Sequence, residues 1–483
     1  ENYNTAVGYA AGTAVTTGTG NTLIGGLAGD ATTTASNNTA VGYLSLSANT
    51  TGADNVALGA TSLQLNTTGA NNTALGKGAL VFNTTASNNT GVGYLALNAN
   101  TTGTPNVAVG ANSLDANTTG GSNVAVGFEA LTTNTTGNFN TGLGRGALGA
   151  NTTAHRSTAV GYNALLSSNV SGNSNAYNTA VGYAAGEAVT TGLQNTLVGG
   201  QAGQALTTSS DNVAIGPFAL KNDTKGGKTV AIGRSALGDQ NFTTATDSYN
   251  VGVGYFAGVA VTTGLRNTLL GSLTGSSINT GYENICVGYA AGDQLTTGNN
   301  NIIIGNSVDA DSVSQANAIV IGVGFQGAGN DFSFGKAANV VSNDFNADAN
   351  WSRSSDERLK KNITNQTLGL DFINALRTVK YNWKASGELD ASDAQLAHLR
   401  EEDADGNIIN HMDTDVVMHN FIAQEVKAAL DAAGVSDFGG WKEDQYGVQQ
   451  VSREMFVIPL VKAIQELSEQ NAALTARIET LEG

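Results

Sequence analysis

A five-residue core recurs 19 times between residues 4 and 322: Asn, a β-branched residue, a mostly small residue, an aliphatic residue, Gly. Every step between cores is 17 residues, except two of 21, from 157 to 178 and from 229 to 250. The fifth position is Gly in all 19 units, from Gly8 to Gly322, and the fourth is always Val, Ile or Leu. The first is Asn in 16 units, with Ser157, Thr229 and Ala318 in the others. Self-similarity at a fixed period of this size predicts a stacked, solenoid-like repeat. Each core reads as a short strand ended by a glycine turn. Its β-branched and aliphatic positions are two apart and share one face; the small residue between them (Ala6, Ala40, Gly91) points the other way, into a tight space. An Ala or Ser then precedes Leu or Gly, as in Ala79-Leu80 and Ala11-Gly12, and a Thr-Thr-Gly corner such as Thr50-Thr51-Gly52 recurs.

Stacking sets each Asn above the next, which predicts a side-chain hydrogen-bond ladder. At ~4.8 Å per rung, 19 rungs span roughly 90 Å. The two four-residue insertions, near 166–177 and 239–249, are expected to bulge as loops on one face. The core motif holds few large apolar residues, so several chains, three in our reading, are expected to share the interior. The Asn-Thr-Thr triplets fit a glycosylation sequon but read better as solenoid corners. Calcium-binding Gly-Gly-x-Gly-x-Asp nonapeptides do not recur, and the scattered acids offer little for paired-carboxylate glycoside cleavage. Cys286 falls at the small core position and reads as a buried structural thiol.

Composition divides the chain near residue 350. Residues 1–350 carry 26 of the 61 charged side chains, whereas all three Trp and all three Met lie beyond. The net charge of −17 argues against binding nucleic acid. No apolar run is long enough for a membrane helix, no secretory signal is visible, and one cysteine builds neither a disulfide framework nor a multi-cysteine metal site. No cofactor and no metal are expected. His398, His411 and His419 sit in an acidic stretch and read as solvated or hydrogen-bonded. Asp403-Ala404-Asp405-Gly406-Asn407 lacks the twelfth-position Glu of a calcium loop and reads as a turn.

Two resemblances follow from quoted residues. Asn212-Val213-Ala214-Ile215-Gly216 and Asn123-Val124-Ala125-Val126-Gly127 resemble the head repeats of trimeric autotransporter adhesins, which implies a trimeric left-handed β-roll, though that family's repeat is shorter. Read from residues alone, 351–363 is a polar loop opening a helix, with Ser355 or Asp356 as its N-cap. Yet Ser355-Asp356-Glu357-Arg358-Leu359-Lys360 resembles the Ser-Asp-x-Arg-x-Lys signature of the C-terminal intramolecular chaperone of phage endosialidases, tail spikes and tail fibres. Tyr381-Asn382-Trp383-Lys384, Phe421-Ile422-Ala423-Gln424-Glu425-Val426 and Pro459–Leu467 resemble its later blocks in order. The resemblance implies a trimerising domain that removes itself in a single turnover. Ser355 would be the nucleophile and Lys360 its general base, cutting between Ser354 and Ser355. A serine needs such a base, and a lysine serves only when burial or nearby cations depress its pKa; Arg358 and Lys361 are near in sequence.

Val457, Leu460, Ile464, Leu467, Asn471, Leu474, Ile478 and Leu481 alternate in steps of three and four, a heptad seam with Asn471 as a register-setting layer. The alternative is an amphipathic helix packed on its own domain.

The sequence thus predicts a mainly β protein. A trimeric parallel β-roll or β-solenoid shaft fills 1–325 and a neck 326–351. A small α+β chaperone and autoprotease domain follows over 352–454, ending in a trimeric coiled coil, 455–483. The function read from it is a phage tail fibre, a virion component for host attachment, made in the host cytoplasm. Its expected partners are two further copies of itself, a host receptor or glycan and other tail proteins, without membrane insertion. The alternatives are a bacterial surface adhesin, which needs a C-terminal strand anchor where this chain has a charged coil, and a polysaccharide-degrading tail spike, which needs an inserted domain that nothing in the 17-residue register supplies.

Overall fold

The computed structural model describes residues 2–337, 339–344, 352–353, 357–400, 406–408, 414–415 and 417–483. It divides into two compact units, Glu1–Ser354 and Ser355–Gly483.

The first unit is a β-solenoid in which each 17-residue repeat makes one rung. Thr39, Ala40 and Val41 pair in parallel with Val56, Ala57 and Leu58, and this register repeats from rung to rung. Twenty parallel strands form one continuous sheet, followed by two antiparallel strands, Asn339–Asp344 and Ser352–Arg353. The twentieth rung falls in the segment read as a neck. Asp331–Lys336 pairs in parallel with the nineteenth strand, Ile319 opposite Phe332, after a step of only 13 residues. The hairpin that follows pairs the last parallel edge, which would otherwise present a row of unpaired backbone groups.

The third residue of the core faces the interior, as expected: Ala40, Ala57, Ala74 and Ala108 are fully buried, as are the larger Leu197, Leu269, Ile303 and Val320 that stand at this place in other cores. The β-branched and aliphatic residues on either side of it face outward. The expectation that several chains share the interior is not met, because one chain fills it. A leucine eight residues after the core's first position does so in eight successive rungs, from Leu46 to Leu165, each fully buried. These leucines hold left-handed backbone, with φ between 48° and 55° in Leu63, Leu80 and Leu148. Leu220 and Leu237 do the same further along, and in seven other rungs the place is Gly and the volume is supplied from the opposite wall. A Cβ on Gly203 would lie 2.7 Å from Leu197 Cδ2, and one on Gly275 2.8 Å from Leu269 Cδ2.

The invariant core Gly has two causes. Its φ is near 135°, as in Gly59 and Gly76, a region open only to glycine. A Cβ there would also strike the next rung: on Gly76 it would sit 2.3 Å from the Gly93 carbonyl oxygen.

The asparagine ladder forms. The Asn38 backbone N–H donates to Asn21 Oδ1 at 3.0 Å, and its Nδ2 donates to the same oxygen at 3.2 Å and to the Gly52 carbonyl at 3.0 Å. A second ladder was not foreseen. The Asn of the Asn-Thr-Thr triplets is buried, and Asn66 Nδ2 donates to Asn49 Oδ1 at 3.0 Å and to the Gly69 carbonyl at 2.9 Å. The series continues to Asn151. These side chains are interior hydrogen-bond partners, which sets aside the sequon reading of the buried triplets. Cys286 is fully buried, and burial pushes its thiol well above the ordinary range.

Both insertions lie at the same place in the repeat and expose tips at 171–173 and 243–245. The second is tied down by a short parallel pairing of Gly226–Gly227 with Thr246–Asp247.

The second unit is α+β. Helix α1 (Leu370–Asn374) precedes strand Val379–Tyr381, which pairs antiparallel with Met418–Asn420. Helix α2 (Ala423–Ala432), the hairpin Trp441–Glu443 with Gln449–Val451, and helix α3 (Val457–Glu482) follow. Its core gathers Leu368, Phe372, Val426, Leu430 and Phe456. The Phe456 ring centre lies 4.8 Å from that of Phe421 and 5.2 Å from that of Phe438.

Candidate functional site

The signature segment opens the second unit. Glu357–Leu359 makes a single 3₁₀ turn, closed by the Lys360 N–H donating to the Glu357 carbonyl at 2.9 Å. Lys360 is exposed in the single chain. Ser354 and Ser355, read as the scissile pair and nucleophile, lie outside the described residues. So do His411 and Asp403-Ala404-Asp405.

The other motif blocks converge. Tyr381-Asn382-Trp383-Lys384 leaves the first strand, and Phe421–Gln424 joins the second strand to α2. Both line one cavity of about 650 Å³, with His398 and Gln449 also in its wall. The Tyr381 and Trp383 rings meet edge to face at 5.3 Å, and His398 stacks on Tyr446 at 4.0 Å. Within the same block Glu425 accepts two hydrogen bonds from Arg377, at 2.6 and 3.3 Å. That guanidinium holds the Glu425 carboxyl below its usual range.

The closing helix does two jobs on opposite faces. Pro459 and Ala463 are buried toward the domain core. Glu466 accepts the Leu370 N–H at 2.7 Å, so its carboxylate caps the first turn of α1 and also pairs with Lys462. The backbone donor, chiefly, depresses the Glu466 pKa. The heptad positions point away from this core. Ile464 is 66% exposed, Leu474 57%, Ile478 53% and Leu481 79%; Leu467 is also exposed. Asn471 is exposed in the same stretch, and every residue from 467 to 483 is exposed in the single chain. The alternative of an amphipathic helix packed along its length on its own domain therefore applies only to its first turns.

Sequence reasoning placed the motifs but missed the Arg377–Glu425 pair and the Glu466 cap. The signal lay in the motifs themselves, each of which carries one of these acids. Among the described residues no cluster of three His, Cys, Asp or Glu could hold a metal ion, and no helix is long and apolar enough to cross a membrane. No curated protein and no solved structure matches the chain. Residues 355–435 match the family described as chaperone of endosialidase, and that match, behind a β-solenoid of 20 rungs, fits a phage tail fibre carrying an endosialidase-type chaperone domain.

Proposed function

We propose that the chain is a structural fibre of a phage tail that serves host attachment as a homotrimer. Its C-terminal unit acts as a trimerisation chaperone and is then released by autoproteolysis between Ser354 and Ser355. The observation that carries the reading is a coincidence of boundaries: the family match starts at residue 355, and the two compact units divide between Ser354 and Ser355. The exposed apolar seam of α3 supports self-association, because a heptad seam left open to water is buried when copies of the helix pair along it.

In the proposed reaction Lys360 takes the Ser355 hydroxyl proton as Oγ attacks the Ser354 carbonyl carbon. The peptide C–N bond breaks, the Ser355 nitrogen takes that proton from Lys360 and leaves as an amine, and the Ser354 acyl group rests on Oγ as an ester. Water then hydrolyses that ester. Each chain cuts itself once.

Denaturing electrophoresis of the wild type beside Ser355→Ala tests this. The wild type should yield pieces of 354 and 129 residues, and the variant a single full-length band. Full-length bands for both would overturn the autoproteolysis.

A further inference from the structure

The outward face of the strands carries two unbroken columns. One is the residue after each ladder Asn, from Thr5 to Ile319; the other is the aliphatic residue two further on, from Val7 to Ile321. Over 19 rungs the first holds only Thr, Val and Ile, and the second only Val, Ile and Leu. Neither contains a charge; the second is wholly apolar, and Thr fills ten of the 19 places of the first. Both stay open in the single chain: Leu58 is 47% exposed, Val107 38% and Ile215 37%. Columns ~7 Å apart, running along rungs at ~4.8 Å, make a stripe roughly 90 Å long and ~10 Å wide, or about 900 Å². A monomer rarely exposes a contiguous apolar patch above a few hundred Å², and a stable interface takes about 800 Å² from each partner.

The residues flanking this stripe differ in kind. Around the cores opening at 140, 157 and 178 they are large rings and bases, while elsewhere they include Asn37, Asp54, Asn71, Asp211 and Glu283. Arg145 lies 5.8 Å from the Phe128 ring centre and 5.3 Å from that of Tyr162, and Arg156 lies between Phe139 and Tyr177 at 5.6 and 5.7 Å. Over these rungs an uncharged centre with an aromatic and arginine border has the composition of a protein interface.

We infer that this strand face is where copies of the same shaft pack on one another, parallel and rung against rung, closing a second apolar core outside each solenoid. The occupant is a copy because the side chains repeat with every rung along the entire shaft, and a partner must share that period to mesh throughout. The inference rests on the self-association proposed for α3, which gathers copies side by side and raises the effective concentration of one shaft for another. With the strand face covered, the threonine corners and the insertion tips at 171–173 and 243–245 are what the fibre offers to a host.

The test uses the full chain with one added cysteine, since Cys286 is buried. Val126→Cys and Ile215→Cys place thiols on the stripe at two heights, and Thr102→Cys places one at an exposed corner away from it. After treatment with a bismaleimide, both stripe variants should give linked dimers on a denaturing gel, at least several-fold more than Thr102→Cys. Molar mass is read in parallel by light scattering. A multimeric mass with unlinked stripe cysteines, or with Thr102→Cys linking equally well, overturns the face assignment while leaving the α3 association standing. A monomeric mass overturns both.

Discussion

Leu197 offers a test of how the solenoid fills itself. It is fully buried, and its methyl groups occupy the space of two absent side chains. A Cβ on Gly203, in the same rung, would lie 2.7 Å from Cδ2; one on Gly186, in the preceding rung, would lie 2.6 Å from Cδ1. Leu197→Ala therefore leaves a void with glycine on two sides and little able to collapse into it, at a cost of about 3–5 kcal/mol. Gly203→Leu alone drives a side chain into an occupied site and should also destabilise, by about 1–3 kcal/mol or more. Together they rebuild the arrangement of the next rung, in which Ala214 and Leu220 hold the corresponding places. The backbone accepts this, because Gly203 has φ of 56° and Leu63 holds 48°. Leu206 Cδ1, 2.8 Å from the new Cβ, must shift, so recovery should be partial, roughly 1–2 kcal/mol relative to Leu197→Ala. Urea unfolding followed by far-ultraviolet circular dichroism suits the shaft, since all three Trp lie outside the repeats. The decisive result is a change of sign: Gly203→Leu must destabilise the wild type and stabilise Leu197→Ala. If it destabilises both, or if Leu197→Ala costs under about 1 kcal/mol, the compensation across the core is refuted.

Three further outcomes are expected. Burial, first, and the neighbouring Asp293 carboxyl push the Asp309 pKa up to about 7 against the pull of the Gln294 and Ala310 N–H groups, so the folded chain holds a proton that the unfolded chain has released. That contribution is complete below the ordinary carboxylate range, falls as pH rises toward about 7, and is flat above; Asp293→Asn should raise the thermal midpoint relative to wild type more at pH 8 than at pH 4, and a difference independent of pH would refute it. Glu466 has the opposite sign: its depressed pKa contributes stability above the ordinary range that is lost as pH falls through the folded value. Glu466→Gln should therefore lower the urea midpoint of the second unit at neutral pH, read by tryptophan fluorescence, and converge on wild type in acid; equal midpoints at pH 7 would count against the cap. Leu474→Asp with Ile478→Asp places charges in the exposed seam and should lower the mass in light scattering from three chains toward one, while an unchanged mass would remove α3 from the assembly.

Features set by the period and by residue type were legible in the sequence, and features set by how the interior packs were not. The invariant Gly and the first Asn ladder follow from period and residue type alone. The filling of the interior did not, because leucine in left-handed backbone runs against its local preference and is held there by the rungs above and below. Likewise the Asn of the Asn-Thr-Thr triplets resembles a surface corner until stacking buries it. The dyad is the converse case, since Ser355 and Lys360 were read from resemblance and Ser355 lies outside the described residues.

The three exceptions to the core Asn show most directly what the sequence holds without displaying. Ser157 and Thr229 begin the two 21-residue steps, and Ala318 begins the 13-residue step into the last rung. The other 16 cores all carry Asn, and each is followed by a step of 17. The ladder geometry supplies the cause. An Asn Oδ1 accepts the backbone N–H that opens the next rung, as Asn212 accepts that of Thr229 at 3.0 Å and Asn301 that of Ala318 at 2.9 Å. When the step changes length, the strands still pair but the chain enters the rung by another path, so Asn loses its advantage at that core. At the second insertion the loop brings its own oxygen. Ser248 Oγ lies 2.6 Å from Thr229 Oγ1 and accepts the Asn250 N–H at 3.3 Å. Missing asparagines and irregular steps are therefore one feature. A core without Asn in such a repeat marks a rung after which the chain leaves its regular path, and in this shaft two of those three places are where the exposed loops emerge.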